Sequence, residues 1–127
     1  MIRILWVEDN EFGADMLSRR LKRKGFGVVR AFDGGQAVEM AHSEKPDLIL
    51  MDMSLPVKNG ETAIAEIKAS ETTRHIPIIA LTAHAMSSDT QKAMKADDVE
   101  TKPIELARLL GKINRLLSIE PSVLPQS

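Results

Sequence analysis

Asp47-Leu48-Ile49-Leu50-Met51-Asp52 decides the fold. The segment is apolar through its centre and closes on a carboxylate, the make-up of a strand buried on both faces. Such strands sit in parallel sheets whose crossover helices cover both surfaces. Working outward, the same kind of element recurs. Ile2-Arg3-Ile4-Leu5-Trp6-Val7 runs into Glu8-Asp9, Ile78-Ile79-Ala80-Leu81 runs into Thr82, and Val99-Glu100-Thr101 runs into Lys102-Pro103. Longer segments of helical period separate them. The alternation predicts an α/β domain of parallel strands joined by helical crossovers.

The pattern predicts strands over 2–8, 26–31, 47–52, 76–81 and 99–101, with helices over 11–24, 34–43, 61–70 and 87–96. Asp9 or Asn10 would cap the first helix and Gly25 would stop it. Phe12, Met16, Leu17 and Leu21 would form its inward face. Leu55-Pro56-Val57-Lys58-Asn59-Gly60 is a turn signal. The 87–96 helix has only small or flexible apolar residues, including Ala93 and Met94, so its anchoring is weak. The last helix carries one buried stripe, Leu106, Leu109, Leu110, Ile113, Leu116 and Leu117, with Pro103 near its first turn. Residues 119–127 have two prolines and no period, and are expected to be a flexible tail or the start of a linker after a domain spanning 1–118.

Bulk properties narrow the function. A chain of 127 residues fits one domain with a real core. A net charge of -1 gives no reason to expect nucleic acid as a partner. Without cysteine there is neither a disulfide framework nor thiolate chemistry. No apolar run reaches the length of a membrane span, and the first residues lack a signal-peptide layout. A cytoplasmic location with no membrane partner is the expectation.

In an open parallel sheet the carboxyl ends of the strands converge on one edge, where ligands bind. Glu8, Asp9, Asp52, Thr82 and Lys102 would meet there. Three carboxylates and one ammonium sum to a net of -2, and such a cluster repels itself unless a cation joins it. Mg²⁺ suits the set, since it takes a few carboxylates, often a backbone carbonyl, and keeps waters. A carboxylate could then attack phosphorus and form an aspartyl-phosphate. The metal and Lys102 would offset charge on the phosphoryl oxygens, and Thr82 could donate a hydrogen bond to one of them. Singly, each residue has a plainer role as a cap, turn residue or solvated lysine. Their common position at strand ends is what carries the reading.

These residues bring a family into view. The chain resembles a response-regulator receiver domain, the phospho-accepting module of two-component signalling. The matching stretches are Leu5-Trp6-Val7-Glu8-Asp9-Asn10, the run from Lys45-Pro46-Asp47 through Asp52-Met53-Ser54-Leu55-Pro56, Asn59-Gly60, Ile76-Pro77 through Thr82-Ala83, and Thr101-Lys102-Pro103. The resemblance implies a doubly wound, flavodoxin-like sheet of five parallel strands in the order 2-1-3-4-5, with helices on both faces. It implies that Asp52 accepts a phosphoryl group from a histidine kinase or a histidine phosphotransfer protein. Glu8, Asp9 and Asp52 would hold Mg²⁺ with the backbone carbonyl of Ser54, and Thr82 and Lys102 would contact the phosphoryl group. The signal would leave through the face of the fourth helix, fifth strand and fifth helix toward a downstream protein, sometimes by phosphorylation-dependent dimerisation of a monomer. The Lys102-Pro103 bond is often cis in such domains. The module would not be an enzyme in the ordinary sense, although it promotes its own phosphorylation and dephosphorylation.

One region departs from the family pattern. Met94-Lys95-Ala96-Asp97-Asp98-Val99 lacks the usual Gly before the fifth strand and reads about two residues short, and Val99 stands where the family usually has an aromatic switch residue. The alternative is therefore a receiver-like interaction module that works without phosphorylation. Two other Asp- or phosphate-based readings fit worse. A flavin-binding domain of this strand order would not place Glu8-Asp9-Asn10-Glu11 in its phosphate loop, and a haloacid-type phosphatase would need a second Asp where Ser54 stands. Trp6 reads as core, with a fluorescent response to metal if it borders the acidic site. The basic run from Arg19 to Lys24 reads as a solvated helix face, and His84, two residues after Thr82, as a candidate influence on phosphoryl lifetime.

Overall fold

The computed structural model describes residues 1–9, 11–53, 58–83 and 95–117, with residues 11–15 described by their backbone alone. Among them are five strands, β1 (Arg3–Val7), β2 (Gly27–Ala31), β3 (Leu48–Asp52), β4 (Ile78–Thr82) and β5 (Asp98–Thr101). Four helices accompany them, α1 (Glu11–Arg23), α2 (Gly34–Glu44), α3 (Gly60–Ala69) and α4 (Leu106–Leu117). The strands form one parallel sheet in the order β2-β1-β3-β4-β5, as the resemblance implies. Residues 87–94 of the helix expected over 87–96, the Asn10 cap, residues 54–57 with Ser54, His84 and the tail lie outside the described residues, and Lys95 and Ala96 are not helical.

Period-two alternation sorts the strand side chains between two layers. Leu5, Val7, Ile49, Met51, Ile78 and Ala80 pack with α2 and α3 residues such as Ala37, Ala63 and Ile67. Ile4, Trp6, Leu48, Leu50, Ile79 and Leu81 pack on the other surface with Leu17, Leu21, Leu109 and Ile113 of α1 and α4. β3 and β4 are buried at every position, because neighbouring strands flank both edges and a helical layer covers each face. This is why Asp47 to Asp52 reads as a nearly unbroken apolar run.

The helix ends reflect local chemistry. α1 stops where Gly25 takes φ 94. Its N–H donates to the carbonyl of Lys22 and that of Phe26 to the carbonyl of Leu21, closing the orphan carbonyls of the last turn. Asp33 and Asn59 cap α2 and α3, their side-chain oxygens accepting from the N–H groups of Gln36 and Thr62. One expectation changes. Met16 is exposed rather than part of the inward face of α1. Pro103 lies shortly before the first turn of α4, within a loop that begins with a cis Lys102-Pro103 bond.

The departure before β5 leaves the strand itself in place. Lys95 takes φ 65, the left-handed conformation that a glycine would adopt without strain. Asp97 then accepts from the N–H of Ile78 and pairs with Lys68 at 2.8 Å, which ties this turn to the end of α3 and the start of β4. β5 pairs in full register with β4, from Ile79↔Asp98 to Thr82↔Thr101.

Candidate functional site

The strand ladders extend to the residues of interest. The N–H of Glu8 donates to the carbonyl of Ala31, that of Met53 to Leu81, and that of Lys102 to Thr82 at 2.7 Å. The backbone beside each polar side chain is therefore fixed by its neighbouring strand. Glu8 and Asp9 come directly after β1, Asp52 ends β3, Thr82 ends β4, and Lys102 comes directly after β5. All five lie at one edge of the sheet. Ser54 is outside the described residues.

The side chains converge as well. Carboxylate oxygens of Glu8, Asp9 and Asp52 all lie within 4.8 Å of one another. Glu8 and Asp52 are buried and Asp9 is exposed, so the trio is open to solvent on one side. Lys102 donates from Nζ to Asp52 Oδ2 at 2.8 Å and stands 3.7 Å from the Glu8 carboxylate. Burial pulls the Lys102 pKa down, but its hydrogen bond to Asp52 and the charges of Asp52 and Glu8 outweigh this and hold it above the ordinary lysine value.

The donor set fits a small hard cation. Oxygens bound at about 2.1 Å around an octahedral ion sit about 3 to 4 Å apart, close to the spread of this trio. A divalent ion would also cancel the net -2 of three carboxylates and one ammonium.

One further residue joins the site that the sequence did not single out. Arg30 of β2 donates from Nη2 to the carbonyl of Glu8 at 2.6 Å and stacks over Phe32 at 4.5 Å, which braces the acidic pair from behind. Its only sequence signal is a charge inside an otherwise apolar strand. Trp6, 2 % exposed, is core as expected. It also borders a cleft of about 400 Å³ whose walls include Glu8, Lys102 and Arg20.

Comparisons with known proteins agree with this geometry. The sequence matches the family described as the response regulator receiver domain over residues 4–114. The polar-differentiation response regulator DivK of Brucella anthropi is 33% identical over 116 residues, covering 90% of this chain and 94% of DivK. Hybrid signal transduction histidine kinase I of Dictyostelium discoideum is 40% identical over 122 residues, 88% of this chain, which spans 7% of that kinase's length. Among solved structures, the receiver domain of sensor histidine kinase PA1611 from Pseudomonas aeruginosa PAO1, with a magnesium ion coordinated in its active-site cleft, superposes with a TM-score of 0.84 at 38% identity, covering 92% of this chain and 98% of that one. The strand order, the acidic edge and these likenesses agree, and the chain belongs to the response regulator receiver domain family.

Proposed function

We propose that this domain accepts a phosphoryl group on Asp52 from a histidine kinase or a histidine phosphotransfer protein. The observation that carries the reading is the Lys102 Nζ to Asp52 Oδ2 hydrogen bond of 2.8 Å within an acidic trio of which Glu8 and Asp52 are buried. An Asp52 carboxylate oxygen forms the new O–P bond as the N–P bond of the donor phosphohistidine breaks. The electron pair of that bond returns to the imidazole, which takes a proton from solvent. Lys102 meets the negative charge on the phosphoryl oxygens, and the Thr82 hydroxyl donates to one of them. Glu8, Asp9 and Asp52, with the Ser54 carbonyl, are the residues that would hold Mg²⁺, which supplies charge neutralisation when bound. Arg30 and the strand ladder keep Glu8 in place.

Receiver domains are signalling modules. Here the output would run from Thr82 and Lys102 through β5 and α4, with the 87–96 segment, to a downstream protein or a second copy. Val99, at the usual aromatic position, is half-buried against the α2–α3 layer. It lacks the ring that would swing inward, and this favours the second reading, a module that signals by binding alone. Among the described residues no helix is long and apolar enough to cross a membrane, which suits the cytoplasmic location of the proposal.

Incubation with acetyl phosphate and Mg²⁺, followed by intact-mass spectrometry, separates the two readings. The expected result is addition of a single phosphoryl group, abolished by Asp52→Asn. An unmodified wild-type protein would favour binding alone.

A further inference from the structure

Two glycines lie where backbone meets backbone near Asp52. Gly34 is the first residue of α2, directly after the Asp33 cap. Gly60 is the first residue of α3, directly after the Asn59 cap. A Cβ on Gly34 would lie 1.9 Å from the carbonyl oxygen of Lys58 and 2.7 Å from its carbonyl carbon. A Cβ on Gly60 would lie 2.4 Å from the carbonyl oxygen of Asp52 and 2.9 Å from Cα of Met53. These neighbours are main-chain atoms, so no side-chain rotation relieves the clash.

The contacts form a stack. The start of α2 rests on Lys58, Lys58 leads through Asn59 into the start of α3, and the start of α3 rests on the backbone of Asp52. The base of the stack is fixed independently. Ala31, at the end of β2, accepts from the N–H of Glu8, and the N–H of Phe32 donates to the side chain of Gln36 in α2. The start of α2 is therefore registered to the strand pair that carries Glu8, and the stack adds a second reference between Asp52 and Glu8 beside the direct pairing of Val7 with Met51 in β1 and β3.

We propose that Gly34 is a positioning residue for Asp52, refining, through the backbone stack Gly34–Lys58 and Gly60–Asp52, the distance from Glu8 that the β1–β3 pairing sets to first order. The role rests on the metal-binding part of the proposed function, and a side chain at position 34 would act on the acidic trio without touching it. Outer-shell partners that orient metal ligands typically cost about ten-fold in affinity when lost.

The test uses Mg²⁺ alone, titrated into the isotope-labelled full chain and monitored on backbone amides. In the wild type the amides of Asp52, Gly60, Lys58 and Gly34 should shift with a common midpoint, while Gly111 of α4 stays still. Gly34→Ala should raise the midpoint about ten-fold with its helical circular dichroism retained. Ile67→Val, which opens a small gap in the same core layer, should lower the melting temperature and leave the midpoint unchanged. An unchanged midpoint in Gly34→Ala, or an equal rise in Ile67→Val, would overturn the positioning role. Should Gly34→Ala fail to fold, the wild-type spectra decide. Shifts at Gly34 and Lys58 support the stack, and silence at those two while Asp52 responds refutes it. A wild type silent throughout would instead remove the metal reading on which the inference stands.

Discussion

Lys102 stands where the chemistry of single residues is most exposed to test. Its folded pKa is raised above the unfolded value of about 10.4. The stabilisation from its pairing with Asp52 and Glu8 is therefore fully present below that unfolded value, and is lost only as pH rises through the still higher folded one. Between about pH 6 and 9 the ammonium stays charged, and it contributes no pH dependence to metal binding or stability. Lys102→Met removes a positive charge that shares the Asp52 carboxylate with any incoming ion. At an effective dielectric of about 20, unit charges 4 Å apart interact by about 4 kcal/mol, which solvent screening reduces substantially for a lysine more than one-third exposed. The variant should bind Mg²⁺ about ten-fold more tightly by calorimetry and accept phosphoryl groups from acetyl phosphate more slowly. Weaker Mg²⁺ binding would mean that Lys102 orients the carboxylates rather than competing for them. The sequence placed this lysine correctly because it stands directly after a strand. It could not place Arg30, whose hydrogen bond to the Glu8 carbonyl depends on the register that sets Trp6 beside Arg30.

Among the elements, β5 and α4 are joined by charge, while Val99, the apolar residue of β5, packs in the opposite layer. Glu100, 1 % exposed, pairs with Arg108 and with Lys112, the latter at 2.8 Å, and Asp98 pairs with Lys112 and Arg115. The apolar stripe of α4 was legible, since Leu109 and Ile113 are buried at the spacing the sequence displays. The ladder was not. Glu100 and its partners are 8 and 12 residues apart, and only the loop after Lys102 folds α4 back onto the strand. The pairs are asymmetric, because the carboxylate is buried while the cations reach solvent. Removing both cations with Arg108→Met and Lys112→Met strands a buried charge and should cost about 3 kcal/mol in urea denaturation. Glu100→Leu leaves cations that can hydrate and should be close to neutral. The reverse order would show that the cations, not the carboxylate, are the desolvated partners. Gly111, on the same helix, has nothing within 4 Å of where its Cβ would be. Gly111→Ala should therefore stabilise the protein by about 1 kcal/mol, read as a rise in urea midpoint.

At the scale of the whole molecule, a covered parallel sheet was readable because burial on both faces leaves a strong trace in β3 and β4, and the strand order came with the family resemblance, whereas contacts between backbones leave no trace. Asp33-Gly34 and Asn59-Gly60 look like ordinary cap and turn pairs, and nothing in their spelling reveals that each glycine meets another main chain. The outer limit of the folded unit can be argued from the same layers. Family similarity ends at residue 114, and the buried positions of α4 end at Ile113, with Leu116 and Leu117 partly buried against the same layer. Residues 119–127 add two prolines and no apolar period. A chain ending at residue 118 keeps every core residue among those described, and should match the full chain in urea midpoint and in Mg²⁺ response, because an aperiodic tail contributes little to a packed domain. A chain ending at residue 112 loses Ile113, Leu116 and Leu117, one fully buried and two partly buried side chains, and should lose about 3 kcal/mol or more. A marked loss already at 118 would mean that the tail packs on the domain, and the boundary would then move into residues 119–127.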